Sequence, residues 1–174
     1  MADRRGSGSV EIRPAEPRDA RAFHEFWTAI VAEERFVRTE DVRTSARGYR
    51  RRFRQRSDVE TDLLAFDGER LVGHVTVQRE RHPVTAHVGS LAIAVAADAR
   101  GRGTGRRLME EAIAWSKRVG IEKVVLSVYP HNEAAISLYR SFGFVEEGRL
   151  ARHSRKSYGY EDEILMAVWI GGDG

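Results

Sequence analysis

The chain has 174 residues, enough for one domain with a substantial hydrophobic core. Its 29 basic and 26 acidic residues leave a net charge of +3, and the absence of cysteine excludes disulfides and thiolate chemistry. The six histidines are scattered, without a His-x-x-x-His pair, so we predict no metal site. No apolar run reaches the roughly 18–20 residues needed to cross a membrane. Residues 1–9 are polar, unlike a signal peptide, so we expect a cytoplasmic protein with no membrane partner.

The N-terminal part predicts a disordered tail over 1–9, a short strand over 10–13 and two helices. Apolar residues recur at helical spacing between 18 and 33, which predicts the first helix. The second, over 42–55, is rich in arginine, as a nucleic-acid-binding helix would be (Arg43, Arg47, Arg50, Arg51, Arg52, Arg54 and Arg56). Tyr49 and Phe53 stand four residues apart on it, and the net charge is low, so we favour an amphipathic helix and expect no nucleic-acid partner.

The rest of the chain predicts a mixed sheet. Strands over 60–66 and 70–78, joined by Asp67-Gly68, and a third over 86–96 form an antiparallel meander, with Leu71, Val75 and Val77 facing the core. A helix over 103–119 precedes a buried strand over 124–128, a short helix over 133–141 and two last strands, from 144 and over 160–170. A strand between two helices needs a parallel crossover. The fold class is therefore α+β, with a mostly antiparallel sheet in one domain over 10–170 and a flexible C-terminus over 171–174.

The segment Arg100-Gly101-Arg102-Gly103-Thr104-Gly105-Arg106-Arg107 separates an apolar strand from a helix start. Glycines allow backbone N–H groups to crowd together, and a helix N-terminus adds unpaired donors and a positive dipole end. The segment therefore suits a phosphate or pyrophosphate, although a solvated turn has the same composition. It is neither a P-loop, because no Lys-Ser or Lys-Thr follows, nor a dinucleotide fingerprint, because Arg106 follows Gly105.

Three motifs, in order along residues 10–170, resemble the GNAT superfamily of N-acetyltransferases. They are Arg100-x-x-Gly103-x-Gly105; then Asn132-x-x-Ala135-x-x-x-Tyr139 followed by Phe142-Gly143-Phe144; then Glu147-Gly148-Arg149-Leu150 with Tyr160-x-Asp162-x-x-x-Met166. The last motif is similar to the branch that includes spermidine, phosphinothricin and ribosomal-protein acetyltransferases.

The resemblance implies a GNAT-like acyltransferase fold with acetyl-CoA as cosubstrate. Two parallel strands, here 91–95 and 124–128, would splay apart after a bulge and admit the pantetheine arm. Backbone groups of Ile93, Ala94 and Val95 would pair with that arm. Asn132 would contact the cofactor, cap a helix, or both. The pyrophosphate would lie on the backbone amides of one loop (Arg100, Gly101, Arg102, Gly103, Thr104, Gly105 and Arg106).

The resemblance also assigns the acid of the reaction. Tyr139 matches the family's general acid, and a phenol can protonate the departing thiolate. A backbone N–H near Ala94 or Val95 would stabilise the oxyanion. A core tyrosine on a short helix is the alternative for Tyr139.

The general base is open, because Gly89 stands where some family members carry a glutamate. His87, with an ordinary pKa of about 6.5, is one candidate. Glu33 and Glu34 are others, and they are also candidates for binding the ammonium of the substrate. A water relay needs no dedicated base. Glu161, Asp162 and Glu163 would either attract a cationic acceptor or simply form a charged strand edge.

These patterns predict an acetyl-CoA-dependent N-acetyltransferase acting on a primary amine of a small molecule or peptide, with exposed strand edges that could pair two copies into a homodimer. The alternative is a non-catalytic acyl-CoA-binding regulatory module on the same fold, which the missing strand carboxylate suggests. A nucleic-acid-binding module built on the arginine-rich helix is a third reading.

Overall fold

The computed structural model describes residues 10–55 and 57–172, so the predicted tail over 1–9 and the last two residues lie outside it. Seven strands and four α-helices follow in this order: β1 (Glu11–Pro14), α1 (Ala20–Ala32), α2 (Ala46–Arg52), β2 (Glu60–Asp67), β3 (Arg70–Arg79), β4 (Val88–Val95), α3 (Thr104–Arg118), β5 (Lys123–Val128), α4 (Glu133–Ser141), β6 (Val145–Lys156) and β7 (Gly159–Trp169). No helix of the described part is long and apolar enough to cross a membrane.

The strands form one sheet in the order β1-β2-β3-β4-β5-β7-β6. All neighbours are antiparallel except β4 and β5, which are parallel because α3 connects them as a crossover. The predicted mixed, mostly antiparallel α+β fold is confirmed.

Helices cover both faces of the sheet. One face packs on α3 and α4 through a large core that includes Leu108, Met109 and Val124. The other packs on α1 and α2 through aromatic side chains such as Phe23 and Phe26. The predicted core residues of β3 are all buried, but they divide between the two faces: Leu71 packs in the second core, while Val75 and Val77 pack in the first.

An extra residue in β3 causes this division. The β2–β3 register shifts between Ala65 and Phe66, which pair with Gly73 and Leu71 respectively and leave Val72 between them. Because successive strand residues face opposite sides, one extra residue moves every side chain beyond it to the other face. The sequence pattern alone does not show this shift.

The arginine-rich helix is shorter than predicted: α2 spans Ala46–Arg52 rather than 42–55. The Ser45 hydroxyl caps its start by accepting the N–H of Gly48. Tyr49 and Phe53 are buried with their rings 6.2 Å apart, which confirms the predicted apolar face. Arg56 lies outside the described residues.

The predicted limits of α3 and α4 are confirmed to within one residue. Gly120 and Gly143 follow α3 and α4 with φ of 79° and 84°. The Asn132 side chain caps α4, because its Oδ1 accepts the N–H of Ala135 at 3.2 Å.

Candidate active site

The parallel strands β4 and β5 separate partway along their length. They pair only over Val88–Ser90 and Lys123–Val125, and beyond these residues no pairing is formed. The predicted bulge is not found in the ladder that β4 forms with β3, where the register is continuous from Gly73 to Arg79. The strands therefore leave an opening in the middle of the sheet, at the C-terminal end of β4.

A cavity of about 970 Å³ occupies this opening and the space beneath the α1–α2 connection. That volume lies at the upper end of ligand-binding pockets. The wall brings together most of the residues that the sequence predicts (Ile93, Ala94, Val95, Arg100, Gly101, Gly103, Gly105, Arg106, Asn132 and Tyr139). Arg102 and Thr104 are not on the wall, although both belong to the same loop and helix start.

The backbone of β4 directs alternate residues into the opening. Ala96 donates its N–H to the carbonyl of Val72 on β3 at 2.9 Å, so Ala94, two residues earlier, also directs its backbone to β3. Ile93 and Val95 therefore direct their backbone groups to the opening. The prediction that Ala94 offers backbone groups there is wrong, because a strand residue cannot bond to both sides.

The loop before α3 has the backbone of an anion site. Gly101 and Gly103 have backbone φ angles of 72° and 84°, which residues with a side chain rarely adopt. Gly103 is the N-cap of α3, a 15-residue helix whose first turn leaves N–H groups without helical partners. Arg106 extends from this turn over the Phe142 ring at 5.2 Å.

Tyr139 lies on α4 at the wall of the cavity, with only 6% of its surface exposed. Its ring packs against Phe144, with the centroids 5.9 Å apart. Burial raises the pKa of the phenol to about 12, so the hydroxyl keeps its proton at neutral pH. A protonated phenol beside a cavity is what a general acid requires.

The structure does not bring His87 to the cavity. His87 precedes β4, at the end of the strand away from the glycine loop, and its carbonyl accepts the N–H groups of Glu122 and Lys123. Its ring is 6.2 Å from that of Trp169. A general base must reach its proton directly or through one water. We therefore do not assign His87 as the base of this site.

Glu33 and Glu34 also lie away from the cavity wall. Glu33 forms an ion pair with Arg100, with Oε2 2.7 Å from Nη2, while Glu34 has a φ of 52°. The Arg100 Nε also donates to the carbonyl of Val95 at 2.9 Å. Glu33 therefore anchors the glycine loop to the end of α1, and we do not assign it to substrate binding.

Glu163 on β7 lines the cavity instead, although the sequence shows it only as one member of an acidic run. The residue is 1% exposed. The Ser154 hydroxyl donates to its Oε1 at 2.5 Å, and its Oε2 lies 3.7 Å from the Arg38 Nη1. Burial raises the pKa of this carboxyl, but the hydroxyls of Ser154 and Ser127 and the charge of Arg38 outweigh burial and leave the pKa lowered.

His74 on β3 is a second cavity residue that sequence reasoning missed. It is 6% exposed, and its Nε2 lies 2.8 Å from the Asp62 Oδ1. Arg52 also pairs with Asp62, with its Nε 2.8 Å from Oδ2. Burial raises the pKa of Asp62, but the hydrogen bond and charge of His74 and the charge of Arg52 leave it lowered. The sequence signal that could have identified His74 is the alternation of His74 and Thr76 with the apolar residues of β3.

Comparisons with known proteins agree with this geometry. The acetyltransferase (GNAT) family matches residues 21–144. The L-amino acid N-acetyltransferase AaaT of Escherichia coli (strain K12) is 28% identical over 160 residues, which are 91% of this chain and 96% of that enzyme. The ribosomal protein bS18-alanine N-acetyltransferase of Salmonella typhimurium (strain LT2) is 40% identical over 78 residues, 45% of this chain and 53% of that enzyme.

Among solved structures, yncA of Salmonella typhimurium in complex with its cofactor acetyl-CoA superposes with a TM-score of 0.86. The match covers 95% of this chain and 96% of that one at 18% identity, so it shows a shared fold. In the part of the chain that the structure describes, no group of histidine and carboxylate side chains could hold a metal ion.

Proposed function

Since this chain belongs to the acetyltransferase (GNAT) family and is an acetyl-CoA-dependent N-acetyltransferase, we propose that acetyl-CoA enters the opening between β4 and β5 and that the acetyl group passes to an amine held in the same cavity. One observation carries the proposal: the separation of these strands joins the glycine loop, the free backbone edge of β4 and Tyr139 in one cavity. The reading as a non-catalytic module is not favoured, because the chain's relatives are enzymes.

The pyrophosphate belongs at the start of α3. The first turn of α3 leaves backbone N–H groups without helical partners, and the helix dipole adds partial positive charge. The predicted amide of Arg100 is not among them, because it donates to the carbonyl of Ala97 at 3.4 Å. The guanidinium of Arg106 contributes formal charge at the same end of the cavity. Asn132, which caps α4 through its Oδ1, still has its amide group available to a ligand in the cavity.

The pantetheine arm pairs with β4 as an added strand. Ile93 supplies its N–H and C=O groups and Val95 its N–H, because these groups point away from β3 and the Val95 carbonyl already accepts the Arg100 Nε. A backbone N–H of this edge stabilises the oxyanion that forms on the acetyl carbonyl. Tyr139 donates the proton that the sulfur needs as the carbon–sulfur bond breaks.

The acceptor class is a primary amine, either of a small molecule such as an amino acid or of a peptide. Two relatives support this proposal, because one is named for L-amino acids and the other for the alanine of a ribosomal protein. Homodimer formation and a cytoplasmic location stay predictions.

The first experiment follows thiol release from acetyl-CoA in the presence of amine panels. The panels contain L-amino acids, their decarboxylated counterparts, polyamines, phosphinothricin-like compounds and a peptide with a free N-terminus. Release that depends on an amine and yields the acetylated product by mass spectrometry is the expected result. Calorimetry that detects no acetyl-CoA binding would overturn the assignment of the opening and its loop.

A further inference from the structure

We propose that Glu163 receives the acceptor as an ammonium ion and takes a proton from it, so that the enzyme selects cationic primary amines. This inference rests on the proposed function of the cavity. Glu163 would supply the base that His87, Glu33 and Glu34 do not supply. It lies on β7, on the opposite side of the opening from β4.

One carboxylate oxygen of Glu163 has no hydrogen-bond partner. Glu163 Oε1 accepts the Ser154 hydroxyl, but Oε2 is buried and has no donor in hydrogen-bond geometry, because the Ser127 hydroxyl lies near the carboxylate without completing a hydrogen bond. A buried carboxylate oxygen without a donor is costly, and buried polar groups in folded proteins are almost always satisfied. Because Glu163 lines the cavity, a ligand there can supply the missing donor.

A second unpaired oxygen belongs to the same wall. Tyr129, at the end of β5, is 3% exposed, and its hydroxyl is also buried without a hydrogen-bond partner. A primary ammonium carries three N–H donors. A carboxylate oxygen and a phenol oxygen can each accept one of them. Both residues line the cavity, so their two unpaired oxygens are candidate acceptors for one ammonium group.

The sheet builds this site through a bulge. Leu150 pairs with Glu163 and Ser154 pairs with Glu161, so β6 has three residues opposite Asp162. Asp162 accepts the backbone N–H of Arg152 in this bulge at 2.7 Å. The extra residues bring the Ser154 hydroxyl to the Glu163 carboxylate. Because this hydroxyl is neutral and only donates a hydrogen bond to Oε1, the carboxylate keeps its negative charge.

The surrounding charges leave the carboxylate able to bind a cation. Arg38, from the α1–α2 connection, is the nearest counter-charge, and it is 63% exposed and beyond hydrogen-bond distance. Lys156 on β6 instead donates to the carbonyls of Val37 and Arg38. His153 on β6 contributes a weaker favourable charge, and Tyr129 and Ser127 face the group from β5. No buried cation in the described residues neutralises Glu163.

The proposed transfer from an ammonium ion to the amide releases one net proton. One proton of the ammonium passes to Glu163 Oε2, and the lone pair released on nitrogen attacks the thioester carbonyl carbon. The carbonyl π pair moves to oxygen as the carbon–nitrogen bond forms. When that pair returns, the carbon–sulfur bond breaks and its electrons leave on sulfur. Tyr139 protonates the sulfur and is reprotonated by the second nitrogen proton. Glu163 passes its proton to solvent, so the products are an amide, a thiol and one proton.

The test compares Glu163→Gln with Glu161→Gln. Both remove one negative charge from β7, but Glu161 is not part of the cavity wall and lies 3.9 Å from His131. For Glu163→Gln we expect kcat/KM for the amine to fall by about 10²-fold or more, the usual contribution of a general base. The acetyl-CoA Kd should be unchanged in both variants, and Glu161→Gln should keep wild-type kinetics.

The pH profile gives a signature that a structural role would not produce. A wild-type enzyme that binds the ammonium form has a flat kcat/KM between the pKa of Glu163 and that of the amine. Without the base, Glu163→Gln depends on free amine, so its kcat/KM should rise about tenfold per pH unit below the amine pKa. Parallel profiles in the two enzymes would overturn the proposal.

Tyr129→Phe provides an independent check in case Glu163→Gln fails to fold. It removes one acceptor from the ammonium site, so we expect a higher KM for the amine with little change in the acetyl-CoA Kd. An unchanged KM would contradict the two-acceptor site. If the wild-type enzyme itself releases no thiol with any amine, the proposed function fails; if it is active and Glu163→Gln matches Glu161→Gln, only this inference fails.

Discussion

Replacing Tyr139 with phenylalanine removes one oxygen from the cavity wall and leaves the ring in place. The ring packs against Phe144 in the core, and burial of the phenol has already weakened its interaction with water. The variant should therefore fold normally. Loss of a general acid should lower kcat by about 10²–10⁴-fold, equivalent to about 2.7–5.4 kcal/mol of transition-state stabilisation.

The raised pKa makes this prediction specific over pH. A phenol with an ordinary pKa of about 10 is half ionised at pH 10, whereas one with a pKa of about 12 is only about 1% ionised there. The wild-type kcat should therefore show no loss from Tyr139 ionisation up to pH 10. Thiol release at saturating concentrations of both substrates, measured from pH 6 to 10, provides the profile.

Tyr158→Phe is the matched control, because it removes the same hydroxyl from a tyrosine that is 56% exposed. It should leave kcat and acetyl-CoA binding unchanged. If Tyr139→Phe keeps the wild-type kcat while binding acetyl-CoA normally, Tyr139 has no part in the chemistry. A wild-type kcat that falls near pH 10, with no such fall in the variant, would refute the effect of burial on the phenol.

Three further substitutions test the loop, the helix cap and the buried ion cluster. Gly103→Ala should weaken acetyl-CoA binding in calorimetry. A φ of 84° strains an alanine by about 1 kcal/mol, so the backbone would shift and reorient the amides of the loop. Gly148→Ala is the control and should not weaken binding, because an added Cβ there meets no atom. Asn132→Ala should lower the free energy of unfolding by about 1 kcal/mol through loss of the cap, and Asn132→Asp should restore stability but not acetyl-CoA affinity if the amide contacts the ligand. Asp62→Asn should cost about 1–3 kcal/mol in chemical denaturation at pH 7, whereas Asp98→Asn, which breaks an exposed ion pair, should change little. The folded-state pKa of Asp62 is lowered, so its contribution is present above the unfolded-state pKa of about 3.9 and is lost as pH falls through the folded value. The stability difference between Asp62→Asn and wild type should therefore shrink below pH 4, and a constant difference would contradict the role of the charge.

Local signals predicted the elements around the active site. The glycine loop before α3 and the Asn132 cap of α4 were each identified within a few residues of sequence, and the structure confirms the helix starts that they set. These signals depend on hydrogen bonds and dihedral angles inside a short segment, so they hold before the chain is folded. Tyr139 came instead from the resemblance to the GNAT family, and the structure places it on the cavity wall.

The base and the acceptor site could not be predicted in this way. His87 and Glu33 were reasonable candidates by residue type, but one lies at the far end of β4 and the other pairs with Arg100. The sequence left two readings open for the acidic run that contains Glu163, an acceptor site or a charged strand edge. The burial of Glu163 depends on the bulge in β6, and no sequence pattern predicts that bulge.

By itself, the sequence therefore determined the order of elements and the anion loop, because these depend on neighbouring residues, while the residue proposed as the acid came from the family resemblance of its motif. Only the tertiary structure decided which backbone groups of β4 are free and which charges meet in the cavity. Strand separation, bulges and the pairing of β5 with β7 bring together residues as distant in sequence as Arg38 and Glu163. The face that a strand residue presents changes with each inserted residue, and only the pairing of the strands shows where an insertion falls.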